Sequence, residues 1–165
     1  MELMIQMLLN SWDRQCACIN NLLTLMNPEL LEVKPSEDGW NLAIQFAHIV
    51  EVRTFWLSNA AETENLGLPS LFTLDGDIYR ASRDIDAIRV ALRASEQAIR
   101  NFLAVKLKTP ESPCGGYETP INFLQHMIWH EGWHAGLIML GLRLAGHEPT
   151  DVWEETNLWS MWRTE

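Results

Sequence analysis

Three of the five histidines in this 165-residue sequence recur at four-residue intervals, at His126, His130 and His134. Residues four apart share one face of an α-helix, because each residue turns the chain by about 100° and advances it by about 1.5 Å. Two imidazoles one turn apart can chelate one metal ion, whereas the rise of about 12 Å between the first and third ring is too long for a single ion. The spacing therefore predicts a metal site formed by His126 with His130, or by His130 with His134.

A fourth histidine, His48, lies on an apolar stripe of helical spacing that also contains Ile44, Val52 and Phe55. An imidazole in such surroundings is buried or nearly so, and a buried polar group needs a partner. A core histidine satisfied by a hydrogen bond is one interpretation of this pattern. The second set of histidines favours the other interpretation, in which His48 is a metal ligand.

Residues 130–134 also match the motif H-E-x-x-H, in which zinc proteases use two histidines as ligands and the glutamate as general base. The match is incomplete, because Leu137 and Leu140 stand where the extended motif has glycine and histidine. A ferritin-type centre of two metal ions needs a second E-x-x-H motif and further inward glutamates, which the sequence does not supply. A zinc protease and a ferritin-type centre are therefore both disfavoured. Glu131 is retained as a candidate catalytic base, with a solvent-facing glutamate as the alternative.

Four predicted helices position these residues, since apolar side chains recur at three- and four-residue spacing in four long segments. The predicted helices span residues 3–26, 40–64, 77–108 and 120–145. Asn27-Pro28 ends the first helix, and Thr119-Pro120 supplies a cap and a first-turn proline for the fourth. Residues 65–76 are predicted to form a crossing loop, and Ser36 or Asp38 to cap the second helix.

The absence of strand-like alternation and internal repeats predicts an all-α fold, an antiparallel four-helix bundle that forms a single domain over residues 1–165. The tail at residues 147–165 holds Trp153, Trp159 and Trp162 and is too apolar for a disordered end. It is expected to dock on its own bundle or on a second copy of the chain.

Composition excludes several classes of partner. A net charge of −10 argues against nucleic acid, because binding to phosphates needs a basic face. Glu2 stands where a signal peptide has positive charge, and the longest apolar stretch is broken by histidines and a glutamate, so no membrane contact is expected. Three cysteines are too few for a disulfide framework. These features predict a cytoplasmic protein.

The sequence resembles the DinB-like (DinB/YfiT) family of small bacterial metal-binding four-helix bundles in residues 40–48 and in the runs His126-x3-His130-x3-His134-x-Gly136 and Leu142-Arg143-x2-Gly146. The resemblance covers the second to fourth predicted helices well and the first only in general character. It implies that His48, His130 and His134 bind a divalent metal ion such as zinc or nickel. His126 would lie one turn away, behind the ligands or in the pocket wall.

A site of three imidazoles leaves at least one coordination position open, which is typical of catalytic rather than structural metal ions. A water or thiol bound there would lose its proton at neutral pH. Other members of the group are thiol-dependent transferases or isomerases that use low-molecular-weight thiols, and family members often form homodimers. The resemblance therefore implies a metal-dependent transferase or hydrolase acting on a small-molecule substrate. The alternative is a non-catalytic metal- or ligand-binding bundle, a dimeric binding or stress-response protein.

Overall fold

A computed structural model describes residues 1–163 and is mostly helical. Its elements are α1 (Glu2–Leu23), α2 (Leu42–Ala61), β1 (Phe72–Asp75), β2 (Ile78–Ala81), α3 (Ile85–Lys106), α4 (Pro120–Leu144) and α5 (Asp151–Asn157), with short 3₁₀ helices at Leu30–Glu32 and Trp159–Met161. The predicted dominance of helix is confirmed. The two-stranded sheet between α2 and α3 was not predicted.

Side-chain caps fix the starts of α2, α3 and α4. Asn41, Asp84 and Thr119 each accept hydrogen bonds from free backbone amides in the first turn of the helix that follows. Pro120 occupies the first turn of α4, where its missing amide hydrogen costs nothing. The predicted start of the fourth helix is therefore confirmed, whereas the predicted caps of the second helix, Ser36 and Asp38, are wrong.

The predicted start of the third helix at residue 77 is also wrong. Residues 78–81 form β2, which pairs antiparallel with β1 from Phe72 opposite Ala81 to Asp75 opposite Ile78. Gly76 opens the two-residue loop with φ of 62°, a left-handed conformation that glycine adopts at little cost. Ile78 and Ala81 are three residues apart, so their apolar spacing fitted a helix as well. The helix begins only at Ile85, after its cap.

The first two helices are shorter than predicted. α1 ends at Leu23 rather than residue 26, because the amides of Leu25 and Met26 bond to carbonyls three residues back and tighten the last turn. α2 begins after its cap at Asn41 and ends at Ala61, where Glu62 adopts a left-handed φ of 53°. Its predicted span of residues 40–64 therefore loses residues at both ends.

Two buried clusters lie at opposite ends of the four long helices. One joins the carboxyl-terminal halves of α1 and α4 to the amino-terminal halves of α2 and α3, and includes Ile19, Leu42, Leu92 and Leu142. The other joins the opposite halves and includes Leu9, Leu57, Leu103 and Phe123. α1 and α4 thus run in one direction and α2 and α3 in the other. Antiparallel packing holds for α1 with α3 and for α2 with α4, whereas the neighbours α2 and α3 are parallel.

The C-terminal segment contacts its own chain along α1. The amide group of Asn21 donates to the carbonyl of Asn157 at 2.9 Å, and the Arg14 guanidinium donates to the carbonyl of Met161 at 2.6 Å. Trp159 and Trp162 nevertheless stay exposed. Residues 164–165 of the predicted tail lie outside the described residues. Across residues 1–163, no helix combines the length and the apolar composition that crossing a membrane requires.

A buried ion pair joins α2 to α4. The Nε and Nη2 atoms of Arg53 donate to the two carboxylate oxygens of Glu131 at 2.6 and 3.0 Å, and both side chains are 1% exposed. A further guanidinium nitrogen donates to the carbonyl of Leu92 at 3.0 Å and to the hydroxyl of Ser95 at 3.2 Å. The guanidinium also lies 5.0 Å from the ring centroid of Trp12. The charge is therefore enclosed by partners on all the helices that surround it.

Removing one partner of this pair should be strongly destabilising. Glu131→Ala leaves the Arg53 charge buried and unpaired, so we expect the free energy of unfolding to fall by about 3–5 kcal/mol. Asp75→Ala breaks the exposed pair with Arg80 and should cost less than about 1 kcal/mol. Urea denaturation followed by circular dichroism measures both values. Equal losses of unfolding free energy in the two variants would show that burial does not increase the cost of breaking the Arg53 pair.

Candidate metal centre

Three histidines converge between α2 and α4. His48 projects from α2, and His130 and His134 project from one face of α4. The ring centroids lie 4.5 Å apart for the two α4 histidines, and His48 lies 5.3 Å from His130 and 4.9 Å from His134. One ring nitrogen from each histidine lies within 4.8 Å of those of the other two, so the three could hold a metal ion.

The separation of the two α4 nitrogens fits a single ion. The Nε2 atoms of His130 and His134 are 3.1 Å apart. Two nitrogen ligands at about 2.0–2.1 Å from one ion lie about 2.8–3.4 Å apart when the angle between them is about 90–109°. The observed separation falls in that range. It also suits a hydrogen bond in which the neutral His130 ring donates Nε2–H to His134, and binding of an ion would require that proton to move to Nδ1 of His130.

Gln45 orients the most buried of the three rings. Its side-chain oxygen lies 2.6 Å from Nδ1 of His134. An amide oxygen can only accept, so Nδ1 carries the proton and Nε2 keeps its lone pair for the site. The Gln45 amide nitrogen donates to the carbonyl of Trp40 at 3.4 Å, which holds the amide in this orientation. Metal-binding histidines usually donate their other ring N–H to a protein acceptor, and Gln45 is such an acceptor for His134.

Burial keeps the imidazoles neutral. Desolvation first, and then the nearby rings of His134 and His48, lower the pKa of His130 to about 3. Desolvation and then His48 lower the pKa of His134 to about 4. The pKa of His48 is also lowered by burial, against a smaller opposing effect of Glu51. At neutral pH the three rings therefore offer lone pairs without first losing a proton.

A close contact sets the distance between α2 and α4 near the site. An added Cβ at Gly141 would lie 2.7 Å from the Cδ2 atom of Leu42, so a larger residue at this position would require the Leu42 side chain to shift. Gly141 lies two helical turns after His134, and Leu42 lies one turn before Gln45. The contact therefore brings the hydrogen-bonding partner on α2 within reach of the histidine on α4.

His126 lies outside the group of three. Its ring centroid is 6.1 Å from that of His130, and its Nδ1 shares a hydrogen bond of 2.6 Å with the hydroxyl of Tyr117. Burial raises the pKa of Tyr117 to about 12, so the phenol keeps its proton. The ring of Trp56 packs edge-on against His126. Of the two pairs allowed by spacing, the structure thus brings His130 and His134 together, with His126 one turn behind.

Glu131 does not face the histidines. It is one residue past His130, which turns it by about 100° into the helix interface, where both its oxygens bind Arg53. The prediction of a solvent-facing glutamate is wrong, because the side chain is buried. The structure also separates this candidate base from the metal-binding face of α4.

An open cleft adjoins the three histidines. A cavity of about 350 Å³ is lined by His48, His130 and His134 together with the tryptophans Trp40, Trp129 and Trp133. The Trp40 ring packs against His48 at 4.9 Å between centroids. His48 and His130 are only half-buried. As far as residue 163, the C-terminal segment packs along α1 and contributes no residue to the lining of the cleft.

Sequence reasoning missed two residues that matter at the site. Gln45 precedes His48 by three residues and shares its face of α2, so helical spacing alone could have identified it. Arg53 interrupts the same apolar helix as a charged residue, which was a signal for a buried partner. Its pairing with Glu131, 78 positions away in the chain, has no signal in the sequence.

The comparisons with known proteins agree with this architecture. The family model of the DinB family matches residues 1–164. Neither the curated proteins nor the solved structures contain a match to this chain. Because this match covers almost the whole sequence, the chain belongs to the DinB family.

Proposed function

We propose that this chain is a four-helix bundle that binds one divalent metal ion, zinc or nickel, through His48, His130 and His134, and that it is an enzyme. The four long helices pack around two shared clusters, which supports the bundle. The donor set supports the ion, because neutral imidazoles suit zinc and nickel better than calcium or magnesium.

The half-buried state of the ligands, beside an open cavity of about 350 Å³, is the observation that supports catalysis. Three protein ligands leave a position free on a tetrahedral ion, and this cavity gives a substrate access to it. A metal ion bound here would activate a water or a thiol as a nucleophile. A purely structural ion would be closed off by a fourth protein ligand or by packed side chains.

Each residue of the site has a defined task in this proposal. His130 and His134 supply Nε2 lone pairs, and Gln45 holds the His134 ring by its Nδ1–H. The tryptophans line the cleft beside the rings. Glu131 stabilises the core by pairing with Arg53 and does not act as a base, because both its carboxylate oxygens accept hydrogen bonds from Arg53.

The reaction class is a transfer or hydrolysis on a small molecule. Within it we propose either a low-molecular-weight thiol as co-substrate or water as the nucleophile, since the cleft accommodates both. The second candidate is a non-catalytic bundle that binds metal or a ligand. The openness of the cleft favours the enzyme.

Single substitutions of the ligands test the metal site. His48→Ala, His130→Ala and His134→Ala should each lower zinc affinity by more than about 100-fold, above the range for losing an outer hydrogen-bonding partner. His126→Ala should retain binding, because its ring is held by Tyr117. Isothermal titration with zinc, and elemental analysis of protein purified without an affinity tag, measure the effect.

His147→Ala is the matched control, since His147 is exposed and absent from the group of three. Glu131→Gln should also keep its metal, although it loses stability. Loss of zinc in His126→Ala together with retention in His134→Ala would refute the proposed ligands and leave a different site on α4.

The hydrogen bond from Gln45 gives a separate test. Gln45→Leu keeps most of the side-chain volume but removes the acceptor for Nδ1 of His134, so zinc affinity should fall by about 10- to 100-fold. Gln97→Leu is the control, because the Gln97 side chain donates to Asn101 on the exposed face of α3. An unchanged affinity in Gln45→Leu would show that His134 needs no orienting partner.

We also propose that the protein is a homodimer. The described residues include exposed apolar side chains on α4 and in the C-terminal segment, among them Trp129, Leu144, Trp159 and Trp162. Large exposed apolar patches usually mark contacts between proteins. Sedimentation equilibrium at micromolar concentration should give twice the 19.0 kDa of one chain. A species of 19.0 kDa at that concentration would exclude the dimer.

A further inference from the structure

A second cavity continues the metal cleft outwards. It has a volume of about 330 Å³ and shares Trp40, Trp133 and His134 with the cavity that contains the other two histidines. Its far wall is the loop before α2, which contributes Pro35, Ser36, Asp38 and Gly39. The two cavities therefore adjoin at these three residues, one beside the imidazoles and the other, the outer cavity, beside this loop.

The outer cavity combines aromatic faces with one negative charge. Trp40 and Trp133 are 48% and 61% exposed, so their rings face the cleft and solvent rather than the core. Asp38 is the charged residue of the lining, and it is exposed. Neither cavity is lined by a lysine or arginine among the described residues. Lys34, in the same loop, donates to the carbonyl of Glu37 instead.

Aromatic rings beside a carboxylate favour a positively charged ligand. Tryptophan is the aromatic side chain that attracts cations most strongly through its ring face. An anionic ligand would meet Asp38 with no basic partner, on a protein whose net charge is already −10. A neutral ligand could use the aromatic walls but would gain nothing from the carboxylate.

We propose that the outer cavity binds the cationic end of the substrate, an alkylammonium or amine group held between Trp40 and Trp133 beside Asp38. The polar end of the same molecule then reaches the three histidines, which places the substrate in the class of small organic cations. This inference rests on the proposed function for the reacting end, whereas binding of the cation needs only the outer cavity.

The test compares choline with 3,3-dimethylbutan-1-ol, which has the same shape without the charge. Isothermal titration and tryptophan fluorescence are recorded on the full chain, first metal-free and then loaded with zinc. Choline should bind about 3- to 30-fold more tightly than the neutral alcohol in both forms, the range that a cation over an aromatic face supplies.

Two variants should locate the site. Asp38→Asn and Trp133→Leu should each lower choline affinity by about 3- to 10-fold and leave that of the alcohol less changed. The controls are Asp77→Asn, which removes an exposed charge from the hairpin turn, and Trp159→Leu, which removes an exposed tryptophan from the C-terminal segment. Neither should affect choline.

Equal affinities for choline and the alcohol would overturn the proposal, as would the absence of choline binding or an equal loss in the controls. Zinc titration of the same samples separates this failure from that of the metal site. Protein that binds zinc but does not distinguish choline from the alcohol refutes the cation site alone. Protein that prefers choline but does not bind zinc refutes the metal site alone.

Discussion

The packing of α2 against α4 is the constraint on which the site depends. Contacts between the two helices follow in antiparallel order, from Leu42 with Gly141, through Gln45 with His134, to Arg53 with Glu131. An apolar close approach thus lies on one side of the histidines and a buried ion pair on the other. Such a pair gains little net stability, since desolvation offsets most of its attraction, but a shift of either helix would leave a charge unpaired. We infer that the pair acts mainly by holding the register in which the rings meet.

Burial of the imidazoles has two opposite consequences. Desolvation makes their protonated forms unfavourable, which is a cost to folding when the solution is acidic. The same desolvation provides unprotonated nitrogens at neutral pH, which is the state a metal ion requires. Arg53 is among the charges that lower the pKa of His130, although it stands behind Glu131. This effect of Arg53 is smaller than those of burial and of the neighbouring rings, so the pair acts on the site mainly through helix position.

Much of α4 could be predicted from the sequence, because its cap, its proline and its histidine spacing are local signals. The choice between two histidine pairs could not, since it depends on which pair faces His48 across the helix interface. Helix 3 was predicted to begin too early because the apolar residues of β2 have a spacing that suits either structure. The solvent-facing alternative for Glu131 was wrong because its burial depends on a distant part of the chain. Its position one residue after His130 indicates in which direction the side chain points from α4. The partner that keeps the side chain buried, Arg53, lies on another helix.

The three histidines differ in burial, and this difference bears on the function of the candidate metal centre. His134 is buried and anchored by Gln45, while His48 and His130 are half-buried beside exposed tryptophans. An ion held only for stability gains from complete enclosure, because access by water or competing ligands favours its release. Here one ligand is fixed by the core and the others open towards the cleft. In the proposed enzyme, this asymmetry would place the reactive side of the ion towards solvent, so the residues around the cleft, rather than those beneath the rings, should determine which molecule is accepted.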